Sequence, residues 1–297
     1  MITGARRIKD LIRNHAKGDG AKSQMLLRHY AMERLLERLS VSDYRDDFVI
    51  KGGMLVASLV GVDERSTRDI DATMRGHDMS LDNVSRILAE VASIDIGDGF
   101  TFELGEPQKI MEDSEYGGMR IGVSASIEKT KTAFKIDIST GDAITPDAIE
   151  YEYKLLFEDR SVALRSYNTE TALAEKLETI LSLATQTTRM RDFYDIYALM
   201  ESGRNIDFRL LGDALDATMA VRASTASLDR SDEIIVLLEG SEMMEGHWSR
   251  YQAANSFAES VSWQDTLASL RTMVNAIKAA TAAHCPKEPQ EDTWAIS

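Results

Sequence analysis

The sequence predicts an α+β fold: a mixed sheet flanked by helices in the first half of the chain, with a C-terminal helical domain behind it. Three observations predict it. Short extended runs, several of them alternating apolar and polar residues, are confined to positions before about Tyr167. Beyond that point apolar residues recur at helical spacing in five successive segments. Between Lys51 and Asp71 the stretch KGGMLVASLVGVDERSTRDID passes from an extended run through two glycines and a short helix to a second strand. At 297 residues the chain suits two packed modules or one large α/β unit. The expected units are an α/β domain with N-terminal helices over 1–166 and a helical domain over 167–282 that contributes to the site cleft. A polar tail over 283–297, with Pro286 and Pro289, is expected to be disordered.

Taken in order, residues 4–16 carry weak helical character, and Gly18-Asp19-Gly20 breaks it. Leu27, Ala31, Leu35 and Leu39 repeat at four, widened by Leu26, Tyr30 and Leu36, so an amphipathic helix over 21–39 is expected to cover the sheet. Strands at 48–50 and 68–74 enclose a helix at 54–60. A helix at 81–92 turns Val84, Ile87, Leu88 and Val91 inward. Strands follow at 100–104, 119–127 and 132–138, the last two joined by the polar turn 128–131, and a hairpin over 152–164 turns near Asp159-Arg160. Helices are then expected over 169–184, 190–200, 208–222, 242–254 and 263–280.

Composition narrows the function. With 43% hydrophobic residues the chain can bury a sizeable core. A formal charge of −15 excludes a globally basic nucleic-acid binder but leaves room for a local basic groove. The single cysteine, Cys285, excludes a disulfide framework and a zinc site, and a reducing cytoplasm is the natural compartment. The first twenty residues are too polar for a signal peptide, and no run approaches a membrane span. His15, His29, His77, His247 and His284 show no metal-site spacing, and there is no nucleophile elbow or Walker-type loop.

The chemistry concentrates in acidic strand residues. Side chains alternate along a strand, so Asp69 and Asp71 point the same way while Ile70 faces the core. Two adjacent carboxylates repel unless a cation lies between them, and Mg²⁺ is the usual one. Asp137, at the end of its strand, shares a face with Lys135 opposite Phe134, Ile136 and Ile138, making a third candidate ligand. Three carboxylates suit two metal ions clamping the attacking and leaving oxygens of a phosphoryl or nucleotidyl transfer. Gly52-Gly53 lets backbone amides approach an anion and lets the following helix present its positive N-terminus. In the helical half, Lys176 borders the stripe of Leu173, Leu177, Ile180 and Leu181, either snorkelling to water or reaching a triphosphate. In RMRDFYDIY (189–197), Phe193 and Tyr197 mark a buried face and Asp192 and Asp195 the other. There Arg191 could pair with Asp195, or Asp192 could orient Lys176.

Three stretches, KGGMLVASLVGVDERSTRDID, FKIDIST and ETALAEKLETILSLATQTTRMRDFYDIYAL, together resemble the AbiEii/AbiGii toxin family over roughly 26–200. These are nucleotidyltransferase-like proteins of bacterial abortive-infection and toxin–antitoxin systems, including the MenA-type toxins. The resemblance implies a minimal nucleotidyltransferase fold of the DNA polymerase β type with an appended helical domain. It places Gly52 and Gly53 on the phosphate-contacting turn, Asp69 and Asp71 on the metal pair, and Asp137 on the third carboxylate. Lys176 and Asp192 fall on the motif supplied by the helical half. The wider superfamily often has serine where Gly53 stands. The implied activity is Mg²⁺-dependent transfer of a nucleotide from an NTP, with Mn²⁺ as the alternative ion. The expected catalytic set is Asp69, Asp71, Asp137, Lys176 and Asp192, and the nucleotide-binding set is Lys51, Gly52, Gly53, Arg68 and Lys176. The implied acceptor is a tRNA 3′ end, as described for family members, with a protein or small molecule as alternative and a silent nucleotide- or antitoxin-binding scaffold as rival. A cognate antitoxin is the expected protein partner.

Overall fold

The computed structural model describes residues 2–78, 80–110 and 117–283, so the tail expected to be disordered lies outside the described residues from 284 onward. The chain opens with α1 (Ala5–Ala16) and α2 (Gly20–Ser40), the latter capped by Asp19, whose side chain accepts from the Lys22 N–H at 3.0 Å. Then come β1 (Phe48–Lys51), α3 (Gly52–Val60), β2 (Asp69–Met74) and α4 (Leu81–Ser93). Strands β3 (Phe100–Leu104), β4 (Gln108–Ile110), β5 (Gly118–Ile127) and β6 (Thr130–Ser139) lead to the hairpin β7 (Ile149–Lys154) and β8 (Ser161–Ser166).

These strands form one mixed sheet in the order β3-β5-β6-β2-β1-β8-β7, with β4 beside β5. β2 runs parallel to β6 and antiparallel to β1, while β8 runs parallel to β1. One face is dry. Ile70, Ala72 and Met74 of β2 join Phe134, Ile136 and Ile138 of β6 in a core with Leu26 and Leu36 of α2 and Val84 and Ile87 of α4. Each of the larger side chains among them contributes roughly 1.5–3 kcal/mol of burial. The period of two therefore sends Asp69, Asp71, Lys135 and Asp137 to the opposite face.

The second half is helical: α5 (Thr169–Leu183), α6 (Met190–Glu201), α7 (Phe208–Val221), α8 (Ser231–Glu239), α9 (Glu242–Ala254) and α10 (Trp263–Ala282). They enclose a second core around Leu177, Phe193, Trp248, Trp263 and Leu270. Helix α3 belongs to both cores, with Met54 in the first and Val56 in the second.

Four details depart from the sequence expectations. The helix expected from 54 begins at Gly52, so the glycine pair forms its first turn. β6 runs on to Ser139, so Asp137 lies within the strand. β4 and α8 were not anticipated: β4 has only three residues, and the IIVLL run of α8 is apolar all round, without helical periodicity. Helix α2 is buried on its polar side too. Arg38 donates to both Asp98 oxygens at 2.8 Å, and Arg34 pairs with Glu37 at 2.7 Å. Those pairings let charged side chains stay in the interior, where an unpartnered charge would be costly.

Candidate active site

The polar face of the sheet brings the three aspartates together. Asp71 pairs with Asp137 across the parallel β2–β6 ladder, and Asp69 lies one pleat along β2. Each offers a carboxylate oxygen within 4.8 Å of the others, and all three are partly buried. Burial and the charge of Asp69 push the Asp71 carboxyl above its usual range; Arg191 and the Gly53 N–H, which donates to its Oδ2 at 3.3 Å, act the other way. Three carboxylates form an all-oxygen donor set that fits a hard divalent cation. Arg120, facing Asp137 in the β5–β6 register, donates to both of its oxygens at 2.7 and 2.6 Å.

The glycine pair is wedged against these carboxylates. Gly52 has φ +62°, and a Cβ there would stand 2.1 Å from Asp71 Oδ2. At Gly53 a Cβ would stand 2.6 Å from the Thr67 hydroxyl. Thr67 Oγ1 in turn donates to Asp69 Oδ1 at 3.2 Å. A threonine from the loop thus fills the space beside the turn that a serine at Gly53 would need. Lys51, the residue before the turn, reaches Asp142 at 2.7 Å and Glu175 of α5 at 3.6 Å, and those two carboxylates together with Tyr167 keep it protonated despite burial.

Helices α5 and α6 close the cleft with a second charge network. Lys176 Nζ lies 2.7 Å from Asp195 and 3.4 Å from Asp192. Arg65, from the loop before β2, approaches Asp195 at 2.5 Å, and Arg189 approaches Asp192 at 2.7 Å. Burial works against the charge of Asp195, yet Arg65 and Lys176 hold its carboxyl down at about 2. The sequence places Asp192 and Asp195 on an open helix face, but both are 0% exposed, because cations from α5 and the distant loop cover that face. Arg191 does not pair with Asp195. Lys176 is 8% exposed and is no snorkelling surface lysine.

Lys51, Gly52, Gly53, Asp71, Asp137 and Lys176 all line one cavity of about 320 Å³. Seven cationic side chains and four carboxylates line its wall, and Asp142, Glu178 and Asp192 pair with Lys51, Arg222 and Arg189 from just behind it. Asp192 stands behind Lys176, outside the lining. Asp69 and Arg68 instead line a neighbouring cleft of about 860 Å³ between α2, the loop before β2 and the end of α9; Arg68 is thus apart from the other expected nucleotide-binding residues. Arg120, Asp142, Glu175 and Arg65 went unnoticed in the sequence, and Asp195 was read only as a possible helix partner of Arg191. Only Arg120 left a signal, being an outward residue in the alternating strand MRIGV.

A family model described as the nucleotidyl transferase AbiEii toxin of type IV toxin–antitoxin systems matches residues 34–269. No curated protein matches the chain. Among solved structures, a candidate nucleotidyltransferase from H. pylori superposes with a TM-score of 0.54 at 16% identity, covering 88% of this chain and 98% of its own. JHP933 from Helicobacter pylori superposes with a TM-score of 0.53 at 15% identity, covering 88% and 94%. The likeness lies in the fold, a mixed α+β sheet with helices packed on it.

Proposed function

Since the chain belongs to the AbiEii nucleotidyl transferase toxin family, we propose that it transfers a nucleoside monophosphate from an NTP to an RNA 3′ hydroxyl, a tRNA end above all. The observation that supports this best is the three-carboxylate cluster at the edge of a cavity lined by seven cationic side chains. The triphosphate lies over the turn at Gly52 and Gly53, beside the positive N-terminus of α3. Lys51, Arg120 and Lys176 line the same space and balance its charge. Asp195, with Asp192 behind it, fixes the position of the Lys176 ammonium. Asp69, Asp71 and Asp137 would hold Mg²⁺, or Mn²⁺ as the alternative, and the bound ions would supply charge stabilisation at the attacking and leaving oxygens. The acceptor oxygen bonds to the α-phosphorus, the bond to the β-phosphate oxygen breaks, and pyrophosphate departs with its electron pair. The hydroxyl proton passes to an Asp137 carboxylate oxygen. The cognate antitoxin of the system is the expected protein partner. Among the described residues no helix is long and apolar enough to cross a membrane.

The test is incubation with each α-labelled NTP and total RNA in the presence of Mg²⁺, with Asp69→Asn in parallel. Label in a tRNA-sized band that disappears with the variant supports the reading. Label in protein or small molecules moves the acceptor to another class, and no label in any fraction overturns transfer.

A further inference from the structure

The larger cleft adjoins the donor site just described and ends on Asp69 of its carboxylate cluster. Its floor is set by register. Lys135 pairs with Asp69 across the β2–β6 ladder, one pleat from the Asp71–Asp137 pair, so the polar face continues from the aspartates into this cleft. Its walls are basic: Arg28 of α2, Arg68 and Arg191 join Lys135, and three acidic residues (Asp19, Asp63, Asp69) face six cations in all. Among the described residues no ion pair engages Arg68, Lys135 or Arg191, and all three side chains are exposed. Arg28 is held in place by donating its Nε–H to the Ala133 carbonyl at 3.0 Å. Partial burial and the neighbouring charge of Arg68 lower its proton affinity, with Asp69 acting the other way. The far wall carries Tyr251 and Phe257, both partly exposed. Tyr251 packs on Trp248 at 5.4 Å between centroids and Phe257 on Tyr194 at 4.9 Å, so both rings are braced from behind.

From this juxtaposition, and resting on the transfer reading above, we propose that the larger cleft is the acceptor subsite. It takes the single-stranded 3′ end of an RNA, with phosphates against Arg28, Arg68 and Lys135 and the terminal base against Tyr251 and Phe257. Unpaired RNA exposes base faces that stack on aromatic rings while cations follow the backbone, and this cleft supplies both. An acidic peptide would use the cations but leave the braced rings without a role. The arrangement brings a 3′ hydroxyl to Asp69, whose carboxylate lies within 4.8 Å of those of Asp71 and Asp137.

The experiment measures anisotropy of a 5′-labelled single-stranded RNA dodecamer with a free 3′ hydroxyl, without Mg²⁺ or NTP, for the full chain and for Arg68→Ala/Lys135→Ala. Both side chains are exposed, so the variant is expected to fold, and circular dichroism checks that it does. ATP, GTP, CTP and UTP binding is measured in parallel. The expected result is an RNA Kd raised about tenfold, with the slope of log K against log salt reduced by about 1.4, roughly 0.7 for each lost phosphate contact, and unchanged NTP binding. Wild-type protein that fails to bind the RNA, or equal Kd and slope for the two proteins, overturns the proposal. So does a loss confined to NTP binding, which would give the cleft to the donor's own base. Polyglutamate competing as well as unlabelled RNA would assign it to an acidic protein instead. If the cleft binds RNA as expected while no NTP is bound or transferred, the subsite stands and the transfer reading fails.

Discussion

Gly52 leaves no room for a side chain, because the oxygen it would meet belongs to Asp71 itself. Gly52→Ala combines that overlap with a left-handed backbone, and should cost about 1–3 kcal/mol in a urea titration while abolishing transfer. The outcome at Gly53 is less intuitive. Gly53→Ser restores the residue common in the wider superfamily, yet its Cβ would press on the Thr67 hydroxyl that positions Asp69. We expect it to lower transfer, whereas the paired change Gly53→Ser/Thr67→Ala should recover part of the loss; a Gly53→Ser protein faster than wild type would contradict this packing. Asp71→Asn removes a charge that burial and Asp69 already disfavour. A carboxyl whose folded proton affinity is raised destabilises the fold when ionised, so the metal-free variant should melt higher by about 2 °C for each kcal/mol relieved, and it should show no transfer. A variant that melts lower would mark Asp71 as a structural residue.

The tie between α5, α6 and the loop before β2 reverses what a helix-surface reading of Lys176 implies. Lys176→Ala strips Asp195 of a buried partner and should cost about 3–5 kcal/mol, so a loss of rate in that variant is ambiguous unless folding is measured on the same sample. Arg191→Ala should affect both sites, because Arg191 lines both clefts. The pH dependence is more direct. Asp195 titrates lower in the folded chain, at about 2 against an ordinary 3.8, so its stabilisation is present above pH 4 and lost as pH falls towards 2. About 2 kcal/mol should disappear over that window in acid unfolding, and Asp195→Asn should flatten it; an unchanged acid limb would exclude the network as its source. These ties explain what the sequence could and could not disclose. The parity of Asp69, Asp71 and Asp137 was legible because strand alternation is local, as were the stripes of α2 and α5. The partnership of Arg65 with Asp195 spans 130 positions, and that of Lys51 with Asp142 spans 91; no periodicity encodes either.

Across the whole molecule, α3 is the shared beam: Met54 enters the sheet core, Val56 the helical core, and Leu55 a third cluster with Val49 and Tyr167. A helix embedded on all sides resists separation of the two halves, so they should unfold together. Trp248 and Trp263 both lie in the helical core and report on that half alone, while far-ultraviolet circular dichroism reports on the entire chain. Coincident urea midpoints from the two signals are expected, and a tryptophan transition well removed from the other would show that the halves unfold independently. The seam between the clefts reaches further. Asp69 stands in the wall of one and Asp71 in the wall of the other, two residues apart on the same strand face. If the proposed donor and acceptor lodge on either side of that seam, transfer between them is a single in-line displacement, and handedness at the phosphorus is turned inside out like an umbrella. A nucleoside triphosphate with sulfur at one α-position should therefore yield a diester of inverted configuration, whereas retention would reveal two displacements and a nucleotide parked on the protein between them.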